Sequence, residues 1–399
     1  MLRRGAVRLQ RVRSRMRVAR GDRAAVRRLR DARTPRVLVL DVLVPSHDRN
    51  GGELRMTWIL RLLRSLEYHV TLFPLQQREP RQPYTTELRR LGVEVDHSPR
   101  SFGEFAAPRA GLYDVVVLSS PDAAGPAIDT SRRAFPAATI VYDSVDLHFL
   151  RVARGTEVAG GPAHETYWRE KEVDAFRRSD LVATVTETEA DVVRSLVPAA
   201  RTVVLPTVHE PDPEPRLPFE ATRDLLFIGG FLHAPNSDAV RWFVREILPL
   251  VRREIDARVI VIGADPPDEV RALASPAVVV TGYVPEVEPL FREARVFVSP
   301  LRYGAGMKAK NGQAMAFGLP LVTTTIGAEG MGLVDGEHAL VRDDAGAFAS
   351  AVVELYRDVE LWRRLSARSR ALVRERWSPD TMRERLGALV DTAAPSADR

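Results

Sequence analysis

The chain has 399 residues, 45% hydrophobic and 28% charged, with no cysteine and a formal net charge of +5. That length holds two domains of ordinary size, and the composition is that of a folded protein rather than a disordered one. The absence of cysteine excludes disulfides, thiolate catalysis and cysteine-held zinc, and no apolar run approaches the ~20 residues of a membrane span.

The N-terminus lacks an apolar signal core, so the expected compartment is the cytoplasm. Residues 1–36 carry 14 arginines and 2 aspartates, a local charge of +12 that leaves −7 on the remainder. The high pI therefore belongs to an arm, and the body carries no implied groove for nucleic acid. Leu9, Val12 and Met16 fall at helical spacing among the arginines. Residues 1–35 are expected as a basic arm, either a disordered tail or an interfacial helix on anionic lipid at the inner face of the membrane. A translation start assigned too far upstream would leave the same pattern.

From Arg36 the organisation becomes regular. Val37–Val42 is an apolar run broken only by Asp41, as in a buried parallel strand. The loop PSHDRNGGELR follows, with Gly51 and Gly52 just before a helix expected near Met56–Leu66. Those glycines suit a strand-end loop that meets a ligand, or a tight turn. Strands are expected at Tyr68–Phe73, Val93–Val95, Tyr113–Ser119 and Thr139–Asp143, with a helix at Glu87–Leu91. Asp143, Asp146 and His148 then cluster just past a strand's carboxyl end, where such folds place ligands. One of them could receive a hydroxyl proton, or Asp143 or Ser144 could cap a helix. His164–Ser179 reads as a charged helix and Leu181–Thr186 as a strand. Thr186 and Glu189 form a capping-box pattern and are assigned to structure. Residues 207–222, rich in proline and charge, read as a semi-rigid linker between domains 36–206 and 223–378.

The second half restarts with a strand at Asp224–Ile228 ending in Gly229-Gly230, where backbone can approach phosphate. His233 and Asn236 precede a helix expected over Asp238–Val251. Strands follow at Arg258–Ile262 and Val278–Val280, the latter running into Thr281-Gly282-Tyr283.

Ser299 to Met331 is the most informative stretch. A strand ends at Pro300, and Gly304 and Gly306 bend the loop. A helix is expected from Met307 carrying Lys308, Lys310 and Gln313, and Leu319–Thr325 is the next strand. A glycine loop feeding a helix N-terminus among Arg302, Lys308 and Lys310 suits a diphosphate; a βαβ turn with solvent-facing lysines has the same pattern. Gly312 inside the helix costs roughly 1 kcal/mol against alanine, so a ligand or another backbone is expected close to it. Gly327, Glu329 and Gly330 fall in a loop facing the same crevice. After Trp377-Ser378-Pro379, a last helix spans Thr381–Leu389. Strands alternating with helices in both halves predict an α/β chain of two doubly wound, Rossmann-like domains.

LLFIGGFLHAPNSDAVRWF, VIVIGADPP, VTGYVPEVEPLFREARVFVSPLRYGAGMKAK and GLPLVTTTIGAEGM, in that order, resemble the family-four (group 1) retaining glycosyltransferases of the GT-B fold. GGELR and VYDSVDLHFLR resemble the corresponding loops of the first half. The resemblance covers about residues 35–390. It implies two domains facing across a cleft, with a final helix, 379–391, crossing back to the first. The second domain would bind a nucleotide-diphosphate sugar and the first an acceptor (glycan, lipid-linked or small molecule), without a metal or other cofactor. By position, Arg302 and Lys308 would hold the diphosphate, with amides at Gly229, Gly230 and Gly306. Gly282 and Tyr283 would frame the nucleobase, Gly51 and Gly52 would approach the phosphate, and Asp146 or His148 would stand over the transferred sugar. Two glutamates often separated by seven residues in the family are here Ala305 and Gln313. The departure keeps a second reading open, a non-catalytic partner subunit that binds nucleotide or glycan.

Overall fold

The structure, a computed structural model, describes residues 22–77, 79–160 and 164–393. Helix α1 (22–31) leads into a seven-stranded sheet: β1 Arg36–Asp41, β2 His69–Pro74, β3 Glu94–Val95, β4 Val115–Ser119, β5 Thr139–Asp143, β6 Leu181–Thr184 and β7 Thr202–Val204. The order is β3-β2-β1-β4-β5-β6-β7 and every pairing is parallel. Around it lie α2 Gly51–Ser65, α3 Tyr84–Arg90, α4 Phe102–Ala106, α5 Pro121–Ala134, α6 His148–Ala159, α7 Glu165–Arg178 and α8 Glu187–Leu196.

The second sheet has the order β10-β9-β8-β11-β12-β13, again all parallel. Its strands are β8 Arg223–Ile228, β9 Val259–Ile262, β10 Val278–Gly282, β11 Ala294–Ser299, β12 Leu321–Thr323 and β13 Leu340–Val341. The helices are α9 Ala234–Trp242, α10 Leu248–Val251, α11 Asp268–Arg271, α12 Glu288–Glu293, α13 Ala309–Ala316, α14 Thr325–Ala328, α15 Ala345–Arg357, α16 Val359–Arg376 and α17 Pro379–Ala393. None of the described helices is long and apolar enough to cross a membrane.

Both sheets are buried on two faces, which is why their strands read as apolar runs. In β1, Val37 and Val39 enter the core on one face while Leu38 and Leu40 enter the core on the other. Met382, Leu386, Leu389 and Val390 of α17 complete the first of these cores, so the last helix packs on α2 and the first domain. Strand order reverses between β1 and β4 and between β8 and β11. Loops leaving those strands diverge to opposite faces and open a crevice at the sheet's carboxyl edge. Gly51, Gly229 and the 300–308 loop all leave switch-point strands.

Several expectations need correcting. Residues 22–31, placed in a disordered or interfacial arm, are a helix docked on the first domain. Leu29 is fully buried, and Asp22 takes ion pairs from Arg109 (2.8 Å) and Arg100. Leu9, Val12 and Met16 lie outside the described residues. Helix α2 starts at Gly51, not near Met56, because the Asn50 side chain caps it by accepting from the Glu53 amide at 2.9 Å. Helix α13 starts at Ala309 with Lys308 at its N-cap, later than expected from Met307. Strand β12 stops at Thr323, since Thr324 caps α14. The presumed linker is not free: Thr207, Val208 and His209 are buried, and Asp212 pairs with Arg292 at 2.8 Å.

That segment also explains Gly312. A Cβ there would lie 2.2 Å from Nε2 of the His209 ring, so the close neighbour is an imidazole rather than a ligand or backbone. Burial holds His209 neutral, with its pKa lowered to about 3. Gly312→Ala, a stabilising change in an open helix, is expected here to destabilise by ~1–3 kcal/mol through overpacking. Urea denaturation checks it, and a Gly312→Ala chain as stable as the parent contradicts the contact.

Candidate functional site

Two helix N-termini meet where the domains face each other. A Cβ on Gly51, the first residue of α2, would lie 2.6 Å from the Cβ of Ala309, the first residue of α13. A Cβ on Gly230 would lie 3.1 Å from the Arg49 carbonyl, and one on Gly52 would lie 3.1 Å from Val145 Cγ1. No side chain caps α13. Two positive dipole ends, that of α13 without a side-chain cap, therefore converge at the cleft, a pattern suited to an anion beside them.

Cations gather around it. Lys308 is 6% exposed and donates to the Gly306 carbonyl at 2.7 Å, with Glu329 at 3.9 Å. Burial lowers its pKa to about 8, against the pull of Glu329 and Glu189. Lys310 donates to the Asn236 side-chain carbonyl, and burial and Lys308 lower it to about 7. Asn236 in turn donates to the Gly230 carbonyl at 2.7 Å and fills the space beside Gly229. Burial, with the charges of Arg151, Lys308 and Lys310, brings His233 down to about 4. Burial thus disfavours the charged form of both ammonium groups. Arg302 is partly committed elsewhere: its guanidinium forks onto Asp238, at 2.9 Å through Nε, and lies 5.7 Å from the Trp242 ring centroid.

The first domain supplies the opposite wall from the β5–α6 turn. Gly306 adopts φ +67°, and a Cβ there would sit 2.9 Å from Asp146 Cβ, so only glycine lets the loop pass. Asp146 accepts from Arg151 Nε at 2.7 Å and lies 3.2 Å from His148 Nδ1. Despite burial, those cations hold its carboxyl below the usual range. His148 opens α6 beside the buried Glu172, at 3.7 Å, and its ring lies 5.0 Å from Trp168. Burial opposes its charge, but Glu172 and Asp146 win and its pKa is raised. Asp143 instead turns inward, 2.7 Å from Arg55, which also donates to the Leu205 carbonyl at 3.0 and 2.9 Å. It ties strand to helix under the site.

Other residues close the rim. Arg154 of α6 forks onto Glu329 at 2.6 and 2.7 Å and donates to the Gly304 carbonyl at 2.8 Å. Tyr283, following Gly282 at the end of β10, donates to Asp48, and the Arg49 guanidinium lies 4.0 Å from its ring. Gln313 is half-buried one turn into α13. Sequence reasoning missed Arg151, Arg154 and Asp48. It also assigned Glu189 wholly to structure. Thr186 does cap α8 through the Glu189 amide at 3.2 Å, but the Glu189 carboxylate faces Leu147 and the Gly306 loop.

Two parallel doubly wound domains with an anion-ready cleft between their switch points define a GT-B architecture. Over residues 222–358, most of the second domain, the chain matches the family described as glycosyl transferases group 1. A sucrose-phosphate synthase from Thermosynechococcus elongatus has the same fold, with a TM-score of 0.70 at 15% identity, covering 90% of this chain and 99% of that one. HepE of Anabaena, solved with UDP and glucose, has a TM-score of 0.69 at 14% identity, covering 90% of this chain and all of that one. An uncharacterised 44.6 kDa protein in the cps region of Klebsiella pneumoniae is 21% identical over 164 residues. That match takes in 39% of this chain and 42% of the relative's length.

Proposed function

We propose that the chain transfers a sugar from a nucleotide-diphosphate donor to an acceptor hydroxyl, with retained anomeric configuration and without a metal ion. The observation that carries this is the meeting of the α2 and α13 N-termini beside Lys308 and Lys310. Helix amides and ammonium groups would hold the diphosphate and stabilise the charge that develops on it as the glycosidic bond to phosphate breaks. Gly229, Gly230 and Gly306 would let backbone reach the phosphates, and Gly282 and Tyr283 would border the base. Gln313 is suited to hydrogen-bonding ribose hydroxyls through its amide. Asp146 and His148 would face the transferred sugar. The acceptor hydroxyl would enter from the first domain and give its proton to a departing phosphate oxygen as its own oxygen bonds the anomeric carbon. HepE, solved with UDP-glucose as well as UDP, makes uridine donors the first to try.

A thermal-shift panel of nucleoside diphosphates and sugar nucleotides, with and without chelator, tests the reading. Occupancy stabilises the fold by ~2.7 kcal/mol at a hundredfold excess over Kd. One diphosphate is expected to raise Tm unaffected by chelator. If none does, the partner-subunit reading, which Ala305 and Gln313 favour, replaces this one.

A further inference from the structure

The loop that carries Lys308 contains no acid of its own. Glu329 of the same domain lies 3.9 Å from the ammonium, and a second, more deeply buried carboxylate comes from the other domain. Glu189 sits on the first turn of α8 and is 2% exposed. Its Oε1 accepts from the Leu147 amide at 3.0 Å, at the start of α6. Its Oε2 is buried with no hydrogen-bond partner. The donor-side loops press on the same segment. A Cβ on Gly306 would lie 3.4 Å from Val185 Cγ2, and one on Gly330 would lie 2.5 Å from Thr186 Cγ2. Burial and Asp146 disfavour the Glu189 charge, whereas the amides of Leu147 and Gly306 and the Lys308 ammonium favour it.

We infer that Glu189 is a positioning residue that pins the two domains in register, its carboxylate joining the Leu147 amide of the first domain to the Gly306 loop of the second. The pin acts on the chemistry through others. It fixes Asp146 and His148, which flank Leu147, relative to Gly306 and Lys308. A buried carboxylate with one free oxygen is costly unless a donor comes to it, and the Gly306 loop is the element placed to bring one. Arg154 and Glu329 also bridge the cleft, but with side chains 23% and 25% exposed they are more open to solvent screening than Glu189. The inference rests on the donor-site reading only for its effect on nucleotide, not for the pin itself.

The chain has no cysteine, so nitroxide labels at Arg90→Cys and Asp256→Cys, one exposed position in each domain, report the interdomain distance without background. In the ligand-free protein the parent is expected to give one narrow distance. Glu189→Gln keeps one of the two acceptor oxygens and turns an NH2 toward the other amide, so it should broaden the distribution, and Glu189→Ala should broaden it further, to longer distances. Calorimetric titration with UDP should show a Kd raised at least tenfold in Glu189→Ala and by less in Glu189→Gln. An alanine variant that superimposes on the parent in distance and affinity overturns the pin, as does a glutamine variant looser than alanine. Should Glu189→Ala fail to fold, Gly306→Ala, which pushes the loop off Asp146, must broaden the distances instead or the pin falls. If the parent itself does not bind UDP or any nucleoside diphosphate, the donor reading fails while the distance measurement still decides the pin.

Discussion

Replacing Lys308 with alanine is expected to weaken binding of a nucleoside diphosphate about 100-fold, ~2.7 kcal/mol, while leaving the fold intact. The loss is large because the ammonium is 6% exposed at the start of α13, where charge-assisted contacts are poorly screened. The fold survives because the burial that depresses the Lys308 pKa to about 8 also makes its charge a cost to the empty protein. Removing it leaves Glu329 still paired with Arg154 at 2.6 Å, and Glu189 keeps the Leu147 amide at 3.0 Å. Calorimetry gives the affinity and circular dichroism the fold. An alanine variant with parental affinity would place the diphosphate elsewhere.

Donor affinity should also fall steeply as pH rises. In the empty site the pKa of Lys308 is lowered to about 8 and that of Lys310 to about 7. A sugar nucleotide carries a fixed double negative charge through this range, so its binding raises both values. The complex then holds more protons than the free protein above pH 7, and linkage requires affinity to drop with pH. Each lysine that must take up a proton on binding contributes about tenfold per pH unit, so a tenfold or greater loss is expected between pH 8 and 9. Titration of UDP-glucose across pH 7 to 9 measures it, and a flat profile would mean that neither lysine is a phosphate ligand. The empty protein should respond oppositely. Folded-state pKa values below the unfolded lysine value mean that the unfolded chain binds more protons between about pH 8 and 10. The two lysines therefore add stability as pH rises through that window.

Much of this was legible in the sequence because buried parallel strands announce themselves. Val115–Ser119 is apolar up to its final serine because both faces are covered, and the following turns sit at a predictable sheet edge. The glycine and lysine loop was equally visible, since Gly304, Gly306, Lys308 and Lys310 lie within seven residues of one another. What escaped was whatever depends on a partner distant in the chain. Gly312 signalled a close approach, but nothing local could say that His209 makes it. Arg154 carried no local signal, and only the closing of α6 onto the second domain gives it Glu329. Glu189 satisfied a local capping pattern so well that its carboxylate's other engagement had no separate signal. Helix α5 carries Gly125 and Pro126 in its interior, a pair that propensity reads as a break, yet Ala123, Ala124, Ala127 and Ile128 bury its face and hold it.

A co-crystal structure with UDP-glucose tests the central claim most directly. The diphosphate should lie beside the converging α2 and α13 N-termini, with phosphate oxygens within hydrogen-bonding distance of the Lys308 ammonium and the first amides of α13. The sugar should point toward Asp146 and His148. A nucleotide seated elsewhere would contradict the assignment of this cleft as the donor site.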